Sequence, residues 1–542
     1  MTLRIEILPT VALGLPPFAK ASLRVPRFRL ALSLESLEPP ADAVETQQRV
    51  ELAAEIERCL RVHQPPVAVL DSIRTIAEPG SFCVMTGQQP GFLGGPLYSL
   101  YKALHAVRLS RSLSQAWERP VVPVFWNHAD DHDVAEVHHA WLLNDNLDLQ
   151  RVGLAGLSSG RQPLSRVRLS EESQTLAMVR EALRQMLARW PGAHAAIELF
   201  SPLDGDTLAS AFTRSMTRLL GHLGLVVVEP DWIRPWMSRS LARIVRAPVR
   251  ASLEDGESAL RSVGVEPAIE SSGAALVYRL DEQGRHALRF GGEGFQYDGE
   301  AGSRTPEELA AEIVQSPLAW SPGALLRPLV QDSVFPVAAY VGGWGELNYL
   351  AQLGPLRDAA RIPHTLAVPR WSCTLVEPES SDALQRLELS IAAVLASRGQ
   401  ELVVEVAEAA PSVVGELRLI AERAATELAA RKAALAELDR GLAASLPRAG
   451  DQIRSLVEKI CEKAERVHAN RQGRGRRLVR RVANSLCPRG ELQERVLGAL
   501  PFVARFGRSW IDELFDGIGA FETGHVVASF AAEDDPVKGD LR

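Results

Sequence analysis

The 542-residue sequence predicts an α/β protein with a Rossmann-like parallel-sheet core, inserted connecting subdomains and a C-terminal helical coiled-coil arm. Three observations carry this expectation. Short apolar runs alternate with stretches of helical periodicity, the pattern of buried parallel strands and their crossover helices. A segment between two of these runs alternates like antiparallel hairpins. After Glu377-Pro378 the composition turns to Ala, Leu, Glu and Arg, with apolar residues three, four or seven apart.

Taken in order, residues 1–80 read as helical with proline-rich joints, as in "VETQQRVELAAEIERCLRVH". The first apolar run, "SFCVMTG", is followed by "QQPGFLGGP" and by a helix whose Leu97, Leu100, Leu104 and Val107 share one face; Pro96 suits its first turn. The second run is "PVVPVFWNHADDHD" and the third "LGLVVVEPD". The fourth, "FPVAAYVGG", precedes the helix-like "GELNYLAQLGPLRDAA", and the fifth is "HTLAVPRWSCTLVEP". Hairpins are expected in "GAALVYRLDEQGRHALRFGGEGFQYDG". The resulting boundaries are a core over 1–378, with insertions at about 151–220 and 235–320, an antiparallel coiled-coil arm over 379–470, and a segment 471–542 that packs back on the core.

In the arm, an outgoing stripe from Leu417 to Leu446 and a returning one from Ile453 to Val467 place the turn at "LPRAGD". The outgoing stripe is the longer. Apolar side chains left over would each cost about 1.5–3 kcal/mol in water. A second protomer is therefore expected to cover them, giving a homodimer held by residues 411–470.

Composition excludes several classes. With 46% hydrophobic and 23% charged residues the chain can build a large core, and a net charge of -7 argues against a nucleic-acid partner. Five scattered cysteines without a C-x-x-C pair form neither a disulfide framework nor a zinc ribbon. No signal-like N-terminus and no apolar stretch of about 18 residues is present, so a cytoplasmic protein without a membrane partner is expected.

Chemistry concentrates in three places. Gly87, Gly91, Gly94 and Gly95 let a ligand approach the main chain, and the helix start beyond them suits an anion. The loop matches neither the P-loop nor the dinucleotide fingerprint; Gln88 and Gln89 could bond a nucleotide or an amino-acid substrate, or the loop could be a structural turn. The block "NHADDHDVAEVHH" gathers His128, Asp130, Asp131, His132, Asp133, Glu136, His138 and His139 at the end of an apolar run. It fits a general base with carboxylate orienters, a helix start capped by Asp130 or Asp131, or a metal site, since His128 and His132 are four apart. Arg327 and Arg370 could each grip a carboxylate or phosphate, or form a surface ion pair.

The blocks "TGQQPGFLGGPLYSLYKA", "VPVFWNHADDHDVAEVHH", "LLRPLVQDSVFPVAAYVGGWGELNYLAQL", "VPRWSCTLVE" and "LQERVLGALPFVARFG" resemble, in order, those of the bacillithiol-synthesis cysteine-adding enzymes, the BshC family. The resemblance runs through nearly the whole chain. It implies a core related to class I aminoacyl-tRNA synthetases, a coiled coil that mediates dimerisation, and addition of L-cysteine to glucosaminyl malate in the last step to bacillithiol. By that analogy the turn at Gly87–Gly95 lies where a synthetase holds its nucleotide, and Gln493 and Arg495 are candidates for a second nucleotide contact. Neither H-x-G-H nor K-M-S-K-S occurs, so adenylate chemistry is not inherited with the fold. The family usually has Glu at the position of Asp130 and small residues at those of Asn127 and His128.

Amide formation from a free carboxylate needs activation, for which ATP or another nucleotide is expected, as acyl phosphate or acyl adenylate. Magnesium would enter only with the nucleotide, and no other metal is expected. The amine needs a base, assigned to His132 with Asp131 or Asp133 as orienter. Gln88, Gln89, Asp130 and the loop amides would bind nucleotide, substrate or the developing oxyanion, and Arg327 and Arg370 the malate carboxylates. Two rival readings are a metal-dependent hydrolase using the cluster 128–139 and a nucleotide-binding scaffold.

Overall fold

The computed structural model describes residues 3–530, apart from 10–12, 14–15, 35–36, 158–159, 170–174, 293, 299–301, 401, 403–411 and 473. The apolar runs form one parallel sheet of five strands: β1 Phe82–Gln88, β2 Val121–Asn127, β3 Val226–Val228, β4 Val337–Gly342 and β5 Leu366–Pro369. Their order is β5-β4-β1-β2-β3, and every neighbouring pair is parallel. Helices cover both faces, so the strands are buried throughout and read as unbroken apolar runs instead of alternating ones. This is the doubly wound order, laid outward from β1 in both directions.

The order reverses between β1 and β4. Ligands of such sheets bind outside the carboxyl ends of the strands at that reversal, because the crossovers there leave to opposite faces and open a crevice. Thr86 Oγ1 donates to Val341 O at 2.8 Å and ties the two strands just below it. The helix Leu97–Trp117 leaves β1 on one side and buries Leu97, Leu100, Leu104 and Val107 in the apolar cluster of that face. Pro96 stands at the N-cap of this helix.

The expected hairpins form an antiparallel sheet from Val277–Asp281, Gly284–Gly291 and Gly294–Tyr297, joined at one edge by Trp320–Pro322. Two expectations change. The fifth run is two strands, because Ser372–Val376 leaves the parallel sheet for a second one beside His525–Phe530 and Leu3–Leu8. Leu3–Leu8 is accordingly a strand, although residues 1–80 read as helical. The alternation of "LRIEI" is itself a strand signal, which the helical reading of 1–80 passed over, and its pairing with His525–Phe530 comes from the far end of the chain. Among the described residues no helix is long and apolar enough to cross a membrane.

The chain divides into two compact units, Met1–Leu375 with Gln493–Arg542, and Val376–Leu492. The second unit runs past the expected end of the arm at 470. The helix Arg474–Leu486 belongs to it, burying Val479, Val482 and Leu486, and Ser485 Oγ donates to Glu377 Oε2 at 3.2 Å.

Within this unit Ser412–Ala430 and Arg440–Gln472 pack as an antiparallel pair. Arg418 pairs with Glu458 at 2.8 Å, Arg454 with Glu422 at 3.0 Å, and Cys461 Sγ meets Val414 O at 3.7 Å. These contacts put the turn at Asp439, between Lys432–Leu438 and Arg440–Gln472, instead of at "LPRAGD". Pro447 lies inside the returning helix, and Leu442 and Leu446 are on the return path. The two stripes are thus nearly equal in length, and the surplus expected on the outgoing one does not exist. A Cβ on Gly450 would sit 3.2 Å from Ala425 Cβ, close to the spacing of a disulfide. The Ala425→Cys, Gly450→Cys double variant should oxidise to an intramolecular disulfide, seen by mass spectrometry of a nonreducing digest. A turn at 446–451 would keep the two residues apart and leave both thiols free.

Candidate functional site

At the reversal point, β1 ends in Gln88 and is followed by Gln89. The two side chains serve different clusters. Gln88 Oε1 accepts from Lys102 Nζ at 3.0 Å, and Gln89 Nε2 donates to Asp131 Oδ2 at 2.6 Å. Lys102 is 2% exposed and comes from the second turn of the helix after the glycine-rich loop. Its other two donors go to Gly87 O at 2.9 Å and Glu346 Oε2 at 2.5 Å.

Glu346 is placed by the helix Trp344–Ala351 after β4, where it caps the Gly343 N–H at 2.9 Å and accepts from Tyr340 OH at 3.0 Å. The Lys102–Glu346 pair therefore bridges the two strands that flank the reversal. Burial pulls the Lys102 ammonium below its usual value, and Glu346 opposes that. Burial would likewise raise Glu346, but Lys102 outweighs it and holds the carboxyl low.

Two arginines flank this pair. Arg327, 9% exposed, donates to Gln331 Oε1 and Tyr349 OH, both at 3.1 Å, and faces the Tyr340 ring at 6.0 Å. Arg370, just beyond β5, donates to Glu494 Oε1 and Trp371 O, both at 2.7 Å, and lies 5.4 Å over Tyr98. Burial pushes the Tyr98 phenol up to about 12, although Arg370 and Arg495 pull the other way. Among the described contacts each guanidinium uses only its two terminal nitrogens, leaving further N–H groups for a ligand. Among the described residues Lys102, Arg327 and Arg370 face two paired carboxylates, Glu346 and Glu494, which makes the crevice a place for an anion.

The loop glycines are accounted for by the loop. Gly94 has φ +88° and a Cβ there would meet Phe200 at 2.8 Å, while a Cβ on Gly91 would meet Gly95 Cα at 2.5 Å. The first helical N–H, from Leu97, goes to Leu497 O at 2.8 Å. Beside the loop, His128 Nε2 is buried without a hydrogen-bond partner among the described residues, 2.7 Å from where a Cβ on Gly87 would lie. Burial and the charges of Arg327 and Lys102 push the His128 ring far down, so it is neutral.

The second cluster lies past β2. Asp131 accepts from Gln89, from His132 N at 2.7 Å and from Arg285 Nη1 at 3.4 Å. Burial would raise its carboxyl, but His132 and Gln89, backed by Arg285, hold it below the usual range. His132 Nδ1 stands 3.2 Å from Arg285 Nη1 and 3.5 Å from Asp131 Oδ1. Asp133 is the exposed N-cap of the short helix Val134–Val137, accepting from Glu136 N at 3.3 Å, so the capping role falls on it and not on Asp130 or Asp131. Among the described residues no group of three or more His, Cys, Asp or Glu side chains could hold a metal ion, and the hydrolase reading gains no support.

The family model described as "Bacillithiol biosynthesis BshC, N-terminal Rossmann-like domain" matches residues 32–371, over the parallel sheet and the crevice. A second, "Bacillithiol biosynthesis BshC, C-terminal coiled-coil domain", matches residues 373–530. The chain belongs to the BshC family. Among its relatives are proteins named "Putative cysteine ligase BshC". The one from Koribacter versatilis is 30% identical over 460 residues, covering 83% of this chain and 84% of that protein. The one from Solibacter usitatus is 29% identical over 514 residues, covering 91% and 92%. The one from Salinibacter ruber is 30% identical over 471 residues, covering 84% of each.

Within this BshC chain the crevice gathers Gly87, Gln88, Arg327 and Arg370, while Gln89 joins it to Asp131 and His132. Other expected residues are committed elsewhere. Asp130 is buried against Arg234, which grips both of its oxygens, and Ser321 Oγ donates to it at 2.5 Å. Three of its lone-pair sites are filled inside the core and the residue is 8% exposed, which turns it away from a ligand. Gln493 closes both ways on the Leu375 backbone at 2.8 Å, locking the strand Ser372–Val376, which leaves its amide no reach toward a nucleotide. Arg495 is exposed and stands near Tyr98.

Reading the sequence missed Lys102, Glu346, Tyr340, Arg285 and Glu494. A signal for Lys102 existed: it interrupts "LYSLYKALHAV", a helix whose neighbouring positions are otherwise apolar or small. Arg285 gave none, since it stands in a hairpin more than 150 residues from its partners.

Removing Asp130 should leave the buried Arg234 with Asp231 as its remaining carboxylate partner. Asp130→Ala should cost about 1.5–3 kcal/mol at pH 7, the worth of hydrogen bonds to a charged group, read by urea unfolding. Burial would raise Asp130, but Arg234 outweighs it and depresses the carboxyl below its ordinary 3.8. The stabilisation is therefore full above that value and is lost as pH falls through the folded one, so the difference from wild type should shrink in acid. An unchanged midpoint at pH 7 would contradict this.

Proposed function

We propose that this chain joins the carboxyl of L-cysteine to the amine of glucosaminyl malate as an amide, the last step of bacillithiol formation. The relatives' name, cysteine ligase, and the family's place in bacillithiol biosynthesis support a ligase. The observation that carries the substrate assignment is the cluster of Lys102, Arg327 and Arg370 at the reversal of the sheet. Malate brings two carboxylates, and a crevice with two guanidiniums and an ammonium suits a dianion.

A nucleotide fits the same donor set, which offers three cations, the Gln88 amide and the unpartnered His128 nitrogen. ATP, when bound, supplies the activation that a free carboxylate lacks. Lys102 has all three donors filled by Gly87 O, Gln88 and Glu346, so it contributes its positive field at the end of β1 and no direct contact. Arg327 and Arg370 fix the malyl group, and Tyr98, Tyr340 and Tyr349 wall it off from water. His132 stands at the edge of the second cluster, its side chain 39% exposed and open to a substrate. The reactive thiol belongs to the substrate, because burial pushes Cys83 and Cys487 up to about 12 and Cys59 up to about 11. Unpaired cysteines and a thiol product suit the cytoplasm.

The test is a reconstituted reaction of purified protein, L-cysteine, glucosaminyl malate and ATP, followed by mass spectrometry of the product thiol. Arg327→Lys and Arg370→Lys should each raise KM for glucosaminyl malate by about 10- to 100-fold, the worth of a charged hydrogen-bonded fork, with KM for cysteine little changed. No product from wild type, or equal effects on both substrates, would refute the assignment.

The same reading includes a homodimer through the second unit. Its support is the exposed apolar set Leu419, Ile420, Leu442, Leu456 and Ile460 on the helical pair, which a second copy would cover. Light scattering should give twice the chain mass at micromolar concentration, and Leu419→Glu with Leu456→Glu should give a monomer. A monomeric wild type would end this part.

A further inference from the structure

The expected role of His132 is that of a base, which needs Nδ1–H held by a carboxylate and a free lone pair on Nε2. The surroundings of the ring favour the opposite tautomer. Arg285 stands in the inserted sheet, in the strand Gly284–Gly291, with its side chain 7% exposed and its guanidinium stacked 3.7 Å from the Tyr278 ring centroid. Its Nη1 lies 3.2 Å from His132 Nδ1. A guanidinium has only donors and keeps its proton at any working pH. A ring nitrogen within hydrogen-bond reach of it must present a lone pair.

The competing assignment, Nδ1–H to Asp131 Oδ1, is weaker. That separation is 3.5 Å, at the limit of hydrogen-bond reach, and the same oxygen already accepts the His132 backbone N–H at 2.7 Å. A protonated Nδ1 would also set one N–H against another. Asp131 therefore fixes the backbone of His132 and counters the Arg285 charge, while Arg285 sets the tautomer.

We infer that Arg285 is a positioning residue that holds His132 as a neutral imidazole protonated at Nε2, so that His132 donates a hydrogen bond to an oxygen of the reacting carboxyl group. This rests on the acyl-transfer reading above. In such a reaction negative charge builds on the carbonyl oxygen, and a fixed neutral donor stabilises it without losing its proton. No proton changes hands at His132; the attacking amine arrives as the free base or releases its proton to water. The half-exposed ring meets the substrate, and the buried guanidinium behind it does not.

Two measurements decide this. In the full-length protein labelled with 15N-histidine, the His132 signals, assigned by their loss in His132→Gln, should show a bare Nδ1 and a protonated Nε2. Arg285→Met should move them toward the other tautomer. A wild-type ring protonated at Nδ1 would overturn the inference. This measurement needs no substrate, so it stands even if the reaction assignment fails.

The second is kinetic, in the reconstituted assay. His132→Ala should lower kcat by about 100- to 1,000-fold, as for loss of an oxyanion donor. His132→Gln offers an amide N–H but cannot take up a proton, and should recover at least about a tenth of wild-type kcat. Equal loss in both variants would show that the ring must take up a proton and would overturn the donor role. KM for glucosaminyl malate should stay near wild type in His132→Gln, separating this effect from loss of the malyl contacts.

Discussion

A lysine ammonium buried where a parallel sheet reverses its order must find oxygen for every donor, and the surrounding structure meets that demand. Lys102 takes a main-chain carbonyl from the end of β1, a side-chain amide from Gln88 and a carboxylate from Glu346 across the crevice. Each requirement fixes something else. The helix carrying Lys102 must begin close to β1, so the chain has to turn tightly, and it does so through Gly94 and Gly95 at positive φ. Glu346 must stand at the third position of its helix, where it also caps the helix start. Removing either partner would leave an uncompensated buried charge at a cost of about 3–5 kcal/mol, comparable with a large part of a domain's stability.

The consecutive glutamines follow from the same geometry. Successive side chains of an extended chain point to opposite sides, so two adjacent residues at a strand end can serve two clusters that do not meet. Gln88 turns to Lys102 and Gln89 to Asp131. The cationic crevice and the histidine cluster are thereby set in register by one covalent link.

The inserted sheet does more than decorate the core. It brings Arg285 and Tyr278 to His132, while Ser321 from its edge strand joins Arg234 in closing on Asp130. Of the two adjacent aspartates, one is locked into a buried ion pair and its neighbour stays at the edge of the site. Nothing in "ADDHD" tells them apart. The difference arises from which elements pack against each.

Much of the framework was legible from local pattern. All five core strands were visible as apolar runs, because strands buried on both faces tolerate little else, and the hairpins announced themselves by alternation. The family resemblance likewise rests on contiguous blocks. The helical pair of the second unit was visible as a repeat but its turn was misplaced, since a proline and a glycine at "LPRAGD" look like a break and yet lie within a continuous helix. Local chemistry permits a turn there; the pairing of Arg418 with Glu458 and of Arg454 with Glu422 selects one at Asp439.

The sequence by itself thus determined the periodicities, the apolar strands and the residue types crowded at their ends. Tertiary structure alone decided which polar groups became partners. Periodicity is a property of neighbours along the chain, whereas the fate of a buried charge depends on partners supplied from 100 or more residues away, as Arg234 is to Asp130 and Arg285 to His132.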